Sequence, residues 1–536
     1  MKNVEIPKPE DRHGSYRFFE ALPGILTWSI LLLPFLLAFL SVTVAAFLML
    51  GYLLMWFVKA IALNIRVLQG YKTLREHEAV HWQKLIDDIP GRVATVAGAP
   101  KWHAQNLARI RATPNGIRPR DVIHAVIIAT YNETREVLEP TLRAVLDSDF
   151  DMKKVILVIA YEGRDGAQSE KTALDLVHEY GDQFLHAMAT KHPLTDGEVR
   201  GKGGNITFAG HRLQEFVEQK GLDPSHILVT TLDSDNRPHK QYLAGLTYVY
   251  GVCHDPKHLS FQPLPMFTNN IWDAPAPMRV IATGNSFWMM VQGLRHHTLR
   301  NFSAHAQPLD ALIDTKFWST RTIVEDGHQF WRSYFTFDGK HEVVPIFLPI
   351  YQDAVLAKGY RRTLKAQFIQ IRRWAWGASD VAYVAKYGYL TKNDIDKVDV
   401  TFKFLRLLDG HVSWATSPLI LLYGALVPGL LNHSSFLAWQ LSKIASNIET
   451  IALTSIVVSL FMSFKILPPK PARYRHTRTV WMIVQWALLP VTTICYSASA
   501  AVYSQTRLMF GRYIGSFDVT EKAVKTETGE TITSKS

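Results

Sequence analysis

Asp233 and Asp235 are the residues of this chain whose type and placement best suit chemistry. His226 to Asp235 reads His-Ile-Leu-Val-Thr-Thr-Leu-Asp-Ser-Asp, so an apolar, β-branched run stops at two carboxylates. A run of that kind reads as a buried strand, and ligands of open α/β sheets sit beyond the carboxyl ends of the strands. Two carboxylates one residue apart at such an end suit Mg²⁺ or Mn²⁺ shared with a phosphate, because a hard cation of this kind takes few protein oxygens and completes its shell with substrate and water. Asp147-Ser-Asp149, Asp149-Phe-Asp151 and Asp394-Ile-Asp396 have the same form with no comparable strand before them. Position carries the reading, not the triplet.

Other groups stand at similar places. Thr130-Tyr131-Asn132-Glu133 follows an earlier apolar run, and Asn132 or Thr134 is placed to cap the next helix. Arg200-Gly-Lys202-Gly-Gly-Asn205 is a Gly-rich turn with one lysine, the kind of loop whose amides and ammonium meet a diphosphate. Glu325-Asp326 ends a short apolar stretch, and Gln370-Ile-Arg-Arg373-Trp374 lies in a run rich in Trp, Arg and Ala. His77-Glu78-Ala-Val-His81 has the spacing that holds zinc on a helix. Its neighbours Arg75, Glu76 and Gln83 suit an exposed amphipathic helix better than a protease core.

These residues need a scaffold. From Val122 the chain alternates short strands (122–129, 155–160, 227–232) with helices near 137–146, 170–180 and 208–217, which predicts a mixed, mostly parallel sheet with crossover helices, an α/β fold. Ahead of it, residues 24–64 are almost uninterrupted apolar sequence, enough for two membrane crossings turning near Ser41 to Thr43. Basic residues flank both ends, which predicts a multi-pass protein of the cell membrane with both flanks, and the catalytic part, in the cytoplasm. Amphipathic interfacial helices are expected at 368–387 and 402–408, and further spans at 414–431 and 444–466. The run 480–509 is too short for two full crossings at about 1.5 Å per residue. A re-entrant pair broken at Pro490 would return the tail to the catalytic side.

Across its 536 residues the chain is 48% hydrophobic, rich for a soluble protein, and carries a formal net charge of +11. No long Lys/Arg run with interleaved aromatics accompanies that charge, so nucleic acid is not an expected partner. Cys253 and Cys495 lie far apart, which excludes a disulfide framework or a thiolate zinc site. The resulting divisions are 1–22 cytoplasmic, 23–64 a transmembrane hairpin, 65–118 linker helices, 119–360 catalytic, 361–410 interfacial, 411–509 transmembrane and 510–536 a tail with a disordered end.

The order Tyr131-Asn132-Glu133, Asp233-Ser-Asp235, Glu325-Asp326, Gln370-x-x-Arg373-Trp374 resembles the processive membrane-embedded family-2 glycosyltransferases, among them bacterial cellulose synthases and related β-glucan, chitin and hyaluronan synthases. Phe517-Asp-Val519-Thr520-Glu-Lys522 is similar to the gating loop of the cellulose-synthase-like members. The resemblance implies an A-type, Rossmann-like domain that transfers a sugar with inversion from a nucleotide-diphosphate sugar, expected to be a UDP-sugar, to a growing β-linked glycan. It implies Asp326 as base beside Glu325, and Asp233 and Asp235 as metal ligands, Asp235 the more direct. Thr130, Asn132, Glu133, Glu162, Lys202, Asp233, Gln370 and Arg373 would hold the nucleotide, Trp374 the acceptor sugar, and Phe517, Val519, Thr520 and Lys522 would close over the site.

The chain also departs from that pattern. Tyr161-Glu162-Gly163 stands where an Asp-Asp-Gly is usual, and residues 284–312, with His296, His297, Asn301-Phe302-Ser303 and His305, are longer and richer in histidine than the expected acceptor loop. The stretch after the last helix is too short for a further regulatory domain, which needs at least about 40 residues. The alternative in the same class is single addition to a lipid carrier, and outside it a zinc protease using His77 and His81.

Overall fold

The computed structural model describes residues 4–193, 195–453, 455–515, 522–525 and 531–533. Its centre is an eight-stranded mixed sheet in the order β3-β2-β1-β4-β7-β6-β8-β5. The strands are β1 (Ile123–Thr130), β2 (Val155–Glu162), β3 (His186–His192), β4 (Ile227–Asp233), β5 (Arg237–Pro238), β6 (Leu259–Phe267), β7 (Ala306–Pro308) and β8 (Glu342–Gln352). β3, β2, β1 and β4 run parallel, as do β6 and β8, while β7 and β5 pair antiparallel. The expected mixed, mostly parallel α/β fold is therefore present, with long apolar helices before and after it. β1, β2 and β4 are buried on both faces because helices cover both, one core lying against Leu138, Leu142 and Leu176 and the other against Ile206, Leu213 and Val217. This is why they read as continuous apolar runs.

β3 is a half-buried edge strand, His-Ala-Met-Ala-Thr-Lys-His, with neither an apolar run nor a clean alternation to announce it. The helix Ala276–Gly293 occupies the first part of the stretch expected to be a long loop, so the loop proper begins only after Gly293.

Two long apolar helices stand where the hairpin is expected, extending beyond 23–64 at both ends. Helix Gly14–Leu40 ends at Ser41, whose hydroxyl caps the next helix at Val44 N, and that helix runs on to Glu78. Ala79 closes it, and His81 stands at the start of a separate helix, Trp82–Asp87. The two histidines of the zinc-like motif are thus not one turn apart on one helix. His77 packs instead against Trp82, Trp102 and Phe347, which removes the geometry a zinc protease requires.

Among the described residues three helices are long and apolar enough to cross a membrane: Gly14–Leu40, Val42–Glu78 and Thr477–Met509. The last corrects an expectation, since the chain stays helical through Pro490 instead of breaking there. Proline removes one backbone donor and crowds the preceding turn; a 3₁₀ stretch at Gln485–Leu488 and a π stretch at Thr493–Ala498 absorb the mismatch. The helix is tied to Trp272 O through Arg478 at its start and to Arg17 through Met509 O at its end. Residues 402–408 are no separate interfacial helix. They belong to Lys397–Tyr423, so the division expected at 410 falls inside one helix. That helix stops at Tyr423, short of Leu431, and the segment 444–466 is shared between Phe436–Leu453 and Ser455–Ile466.

Candidate active site

Register brings the predicted residues into one row. Ala129 pairs with Asp233, Thr130 with Tyr161, and Glu162 with His192, so the ends of β4, β1, β2 and β3 line a single edge. Each step along that edge is about 4.8 Å. After β1, Asn132 takes a left-handed φ of 59°, a conformation Asn tolerates better than most residues. The turn folds Glu133 back so that its Oε2 accepts from the Thr130 hydroxyl at 2.9 Å and from Tyr131 N. Thr134 occupies the N-cap of the helix that follows, but its hydroxyl caps nothing.

Lys202 opens an 18-residue helix, Lys202–Gln219, whose first turn points at the row. Its ammonium lies 2.9 Å from Asp233 Oδ1 and 3.1 Å from Asp326 Oδ2. Burial would lower the Lys202 pKa, but Asp233, Asp326 and Glu325 prevail and raise it. Asp233 is held below the usual carboxylate range, because Lys202 and Lys522 overcome the cost of its burial; Ser303 adds a hydrogen bond at 2.8 Å. Glu325 and Asp326 form the first turn of helix Glu325–Thr336. Burial and the neighbouring Asp326 push the Glu325 carboxyl upward, and its Oε2 has no hydrogen-bond partner among the described residues.

Position 203, in the first turn of helix Lys202–Gln219, is glycine for a steric reason. A Cβ on Gly203 would stand 2.4 Å from Ser319 O and 3.3 Å from Glu325 Cβ. A backbone oxygen cannot yield as a flexible side chain does. Gly203→Ala is therefore expected to cost about 1–3 kcal/mol of stability and to move Lys202 away from its two carboxylates. Thermal unfolding and nucleotide binding check both parts, and a variant indistinguishable from the parent would refute the close approach.

Asp235 turns to a second lysine. Lys522, on the far side of the segment 516–521, places its ammonium 2.7 Å from Asp235 Oδ1, 2.7 Å from Ser234 Oγ and 3.9 Å from Glu133 Oε1. The tail is fixed there by Ala523 N donating to Leu356 O at 3.0 Å. Of the predicted closing loop, Phe517, Val519 and Thr520 lie outside the described residues. Asp353, just past β8, donates its backbone N–H to Asp235 Oδ2 at 3.0 Å, and its own Oδ1 is buried with no hydrogen-bond partner among the described residues. Burial and Asp235 push the Asp353 carboxyl upward.

Asp353 was not among the sequence candidates. Its signal is weaker than that of Asp233, because the apolar run Val343 to Ile350 holds two prolines and is separated from Asp353 by Tyr351 and Gln352.

Among the described residues no group of three or more His, Cys, Asp or Glu side chains is assembled for a metal. Asp233, Asp235 and the Asp353 oxygen that lacks a hydrogen-bond partner among the described residues nevertheless fit a hard divalent cation that takes most of its remaining oxygens from a bound phosphate, provided that Lys522 leaves Asp235.

Glu162 is buried at the end of β2, where its Oε2 accepts from Arg164 Nε at 3.2 Å and faces His192 Nδ1 at 3.3 Å. His192 also faces Glu198 at 3.1 Å; burial acts to lower its pKa, but the two glutamates prevail and raise it. Arg164 lies over the Tyr131 ring at 4.6 Å. Sequence inspection missed His192, Glu198 and Arg164, because only the strand register makes them neighbours of Glu162.

Gln370, Arg373 and Trp374 lie on helix Tyr360–Ala375. Arg373 lies close enough to Glu325 to act on its charge, Gln370 Oε1 accepts from Gln367 at 3.1 Å, and Trp374 is 6.2 Å from the Phe267 ring. The histidine-bearing loop reaches the same place, with His305 3.6 Å from Asp326 and Trp318 Nε1 donating to its Nε2 at 3.0 Å. His296 and His297 stay at the surface in a 3₁₀ turn away from these carboxylates.

No known family profile matches the chain, and no curated protein sequence matches it. Among solved structures it is similar to the mannosyltransferase PcManGT from Pyrobaculum calidifontis in complex with GDP-Man and Mn²⁺, at 13% identity and a TM-score of 0.40, over 81% of this chain and 99% of that one. It is also similar to S. aureus TarS 1–349 in complex with UDP-GlcNAc, at 12% identity and a TM-score of 0.37, over 76% and 96%. Likeness at this level carries no argument, and the chemistry rests on the site itself.

Proposed function

We propose that this protein is a membrane-anchored glycosyltransferase that moves a sugar with inversion from a nucleotide-diphosphate sugar to a glycan hydroxyl on the cytoplasmic face of the cell membrane. The observation that carries the reading is Lys202 shared between Asp233 at the end of β4 and Asp326 at the start of its helix. One ammonium thus joins a place for a leaving diphosphate to a carboxylate able to take a proton.

Asp326 accepts the proton of the attacking hydroxyl. The hydroxyl oxygen bonds to the anomeric carbon, and the bond from that carbon to the diphosphate breaks on the opposite face. Lys202 and Arg373 meet the charge that develops on the departing diphosphate, Arg373 through a planar guanidinium suited to phosphate oxygens. Asp235, with Asp233, would hold Mg²⁺ or Mn²⁺, whose contribution is Lewis-acid stabilisation of the diphosphate. Glu162 and the Tyr131–Arg164 stack lie on the row where a nucleoside would extend from that diphosphate, and Trp374 is positioned to stack on an acceptor sugar. Extension of a β-linked polymer coupled to its export is the form of this reaction we favour, because the apolar helices pack directly beside the helix carrying Trp374: Phe368 of that helix meets Tyr503, and the Ser504 hydroxyl donates to Arg372 O.

The test is a panel of UDP- and GDP-sugars with detergent-purified protein and Mg²⁺ or Mn²⁺, read as nucleotide release. Release from one donor is expected, and no release from any would sink the proposal. Extraction of the product then separates a polymer from a lipid-linked sugar.

Lys522 makes its own prediction. Its ammonium and a divalent cation cannot share Asp235, so Lys522→Ala is expected to tighten Mn²⁺ binding in the absence of nucleotide by about fivefold, the worth of about 1 kcal/mol for one close, partly exposed charge pair. Calorimetry with Mn²⁺ alone reads this directly, and equal affinities would place the tail lysine outside the metal's competition.

A further inference from the structure

Two basic stretches, about a hundred residues apart in sequence, border one apolar cluster near the start of helix Thr477–Met509. On helix Tyr360–Ala375 the residues Thr363, Gln367 and Ile371 face inward, which leaves Arg361, Arg362 and Lys365 exposed on the other face. Helix Ser455–Ile466 supplies Lys465 in its last turn, and the loop between it and Thr477–Met509 supplies Lys470 and Arg475. Leu364 from the first stretch and Phe464, Leu467, Tyr474 and Met482 from the second all belong to that cluster, which is built around Ile271, Trp272 and Met278. Trp272 pins the loop from below by donating to Pro468 O at 2.9 Å.

This charge is not spent inside the protein. Arg473 is matched by Asp273 at 2.7 Å, with Tyr474 donating to the same carboxylate. None of Arg361, Arg362, Lys365, Lys465, Lys470 and Arg475 has an ion-pair partner among the described residues; Lys465 lies only over the Phe461 ring, at 5.4 Å. Beside these cations, large apolar side chains are exposed, Tyr360 at 57%, Val480 at 58% and Trp481 at 61%. Cations standing next to exposed Tyr and Trp at the end of an apolar helix are the arrangement that membrane headgroup regions favour.

From this rim we infer that the protein binds anionic phospholipid headgroups at a defined place. The Arg and Lys side chains take the phosphate oxygens while Tyr360 and Trp481 sit at the level of the glycerol backbone. The cations are gathered on one side of the membrane anchor, so the preference is for a local shell of anionic lipid. Docked on such a shell, helix Tyr360–Ala375 is held at a fixed depth. The inference rests on the membrane reading of the apolar helices and not on the sugar chemistry.

The test uses the full chain in phosphatidylcholine nanodiscs containing spin-labelled phosphatidylglycerol or spin-labelled phosphatidylcholine, and measures the motionally restricted fraction of each label. The parent is expected to prefer phosphatidylglycerol by at least about threefold, and the preference is expected to fall toward one at high salt. The triple variant Arg361→Gln/Arg362→Gln/Lys365→Gln is expected to lose most of it. Lys171→Gln/Lys220→Gln, on exposed surface of the sheet domain, is expected to keep it. No preference in the parent overturns the inference, and so does full preference in the triple variant or an equal loss in both variants. If the triple variant does not fold, judged by its thermal midpoint in neutral detergent, the salt titration of the parent decides, and a salt-independent preference refutes the rim.

Discussion

An Asp326→Asn variant is expected to lose sugar transfer by about 10²–10⁴-fold, the usual worth of a positioned base, while binding nucleotide diphosphate at least as tightly as the parent. The change keeps the shape of the side chain and removes its ability to accept a proton. It also removes one of the two carboxylates that share Lys202 at 2.9 and 3.1 Å, so the buried ammonium has more charge to offer an incoming diphosphate. Nucleotide release measures the first part, and calorimetry with UDP or GDP measures the second. Retained turnover would remove Asp326 from the base role. Lost binding together with lost turnover would instead assign Asp326 to holding the lysine in place.

Lys202→Met should have the larger effect on the fold. The side chain is only 8% exposed, and without it Asp233 and Asp326 face each other, with Glu325 behind, and no cation between them. Removing one partner of a buried ion pair costs about 3 kcal/mol or more. The pH dependence has a definite sign. Lys202 holds the Asp233 carboxyl below its unfolded value, so the stability it contributes is present above about pH 4 and is lost as pH falls toward the folded value. The variant lacks that contribution, so its deficit is expected to be largest at pH 7.5 and to shrink toward pH 4 as the carboxylates take up protons. Thermal midpoints of parent and variant at pH 7.5 and pH 5 measure it, and a deficit that grows on acidification would contradict the electrostatic origin.

Much of this was legible from local pattern because the physics is local. Strands covered on both faces must be apolar throughout, so β1, β2 and β4 announced themselves, and a carboxylate ending such a run had to face the ligand edge. Two long apolar helices joined at Ser41 were legible for the same reason, since a bilayer admits only long apolar helices. β3 was not, because an edge strand half open to solvent needs no apolar run. The continuity of Thr477–Met509 was hidden as well. Pro490 is a strong breaker in isolation, and it is tolerated only where 3₁₀ and π turns and packing against other helices absorb the lost bond.

The sequence by itself determined which residues stand at strand ends and which segments are apolar enough to cross a membrane, because both follow from short-range periodicity. Tertiary structure alone decided which charges meet. Lys202 sits between Asp233 and Asp326, and Lys522 returns from the far end of the chain to Asp235, contacts between residues as many as 287 apart. It also turned His77 toward Trp82 and away from His81, and set Glu162 against His192 through the register of two parallel strands. Such pairings depend on strand order and helix packing, which spacing along the chain does not encode.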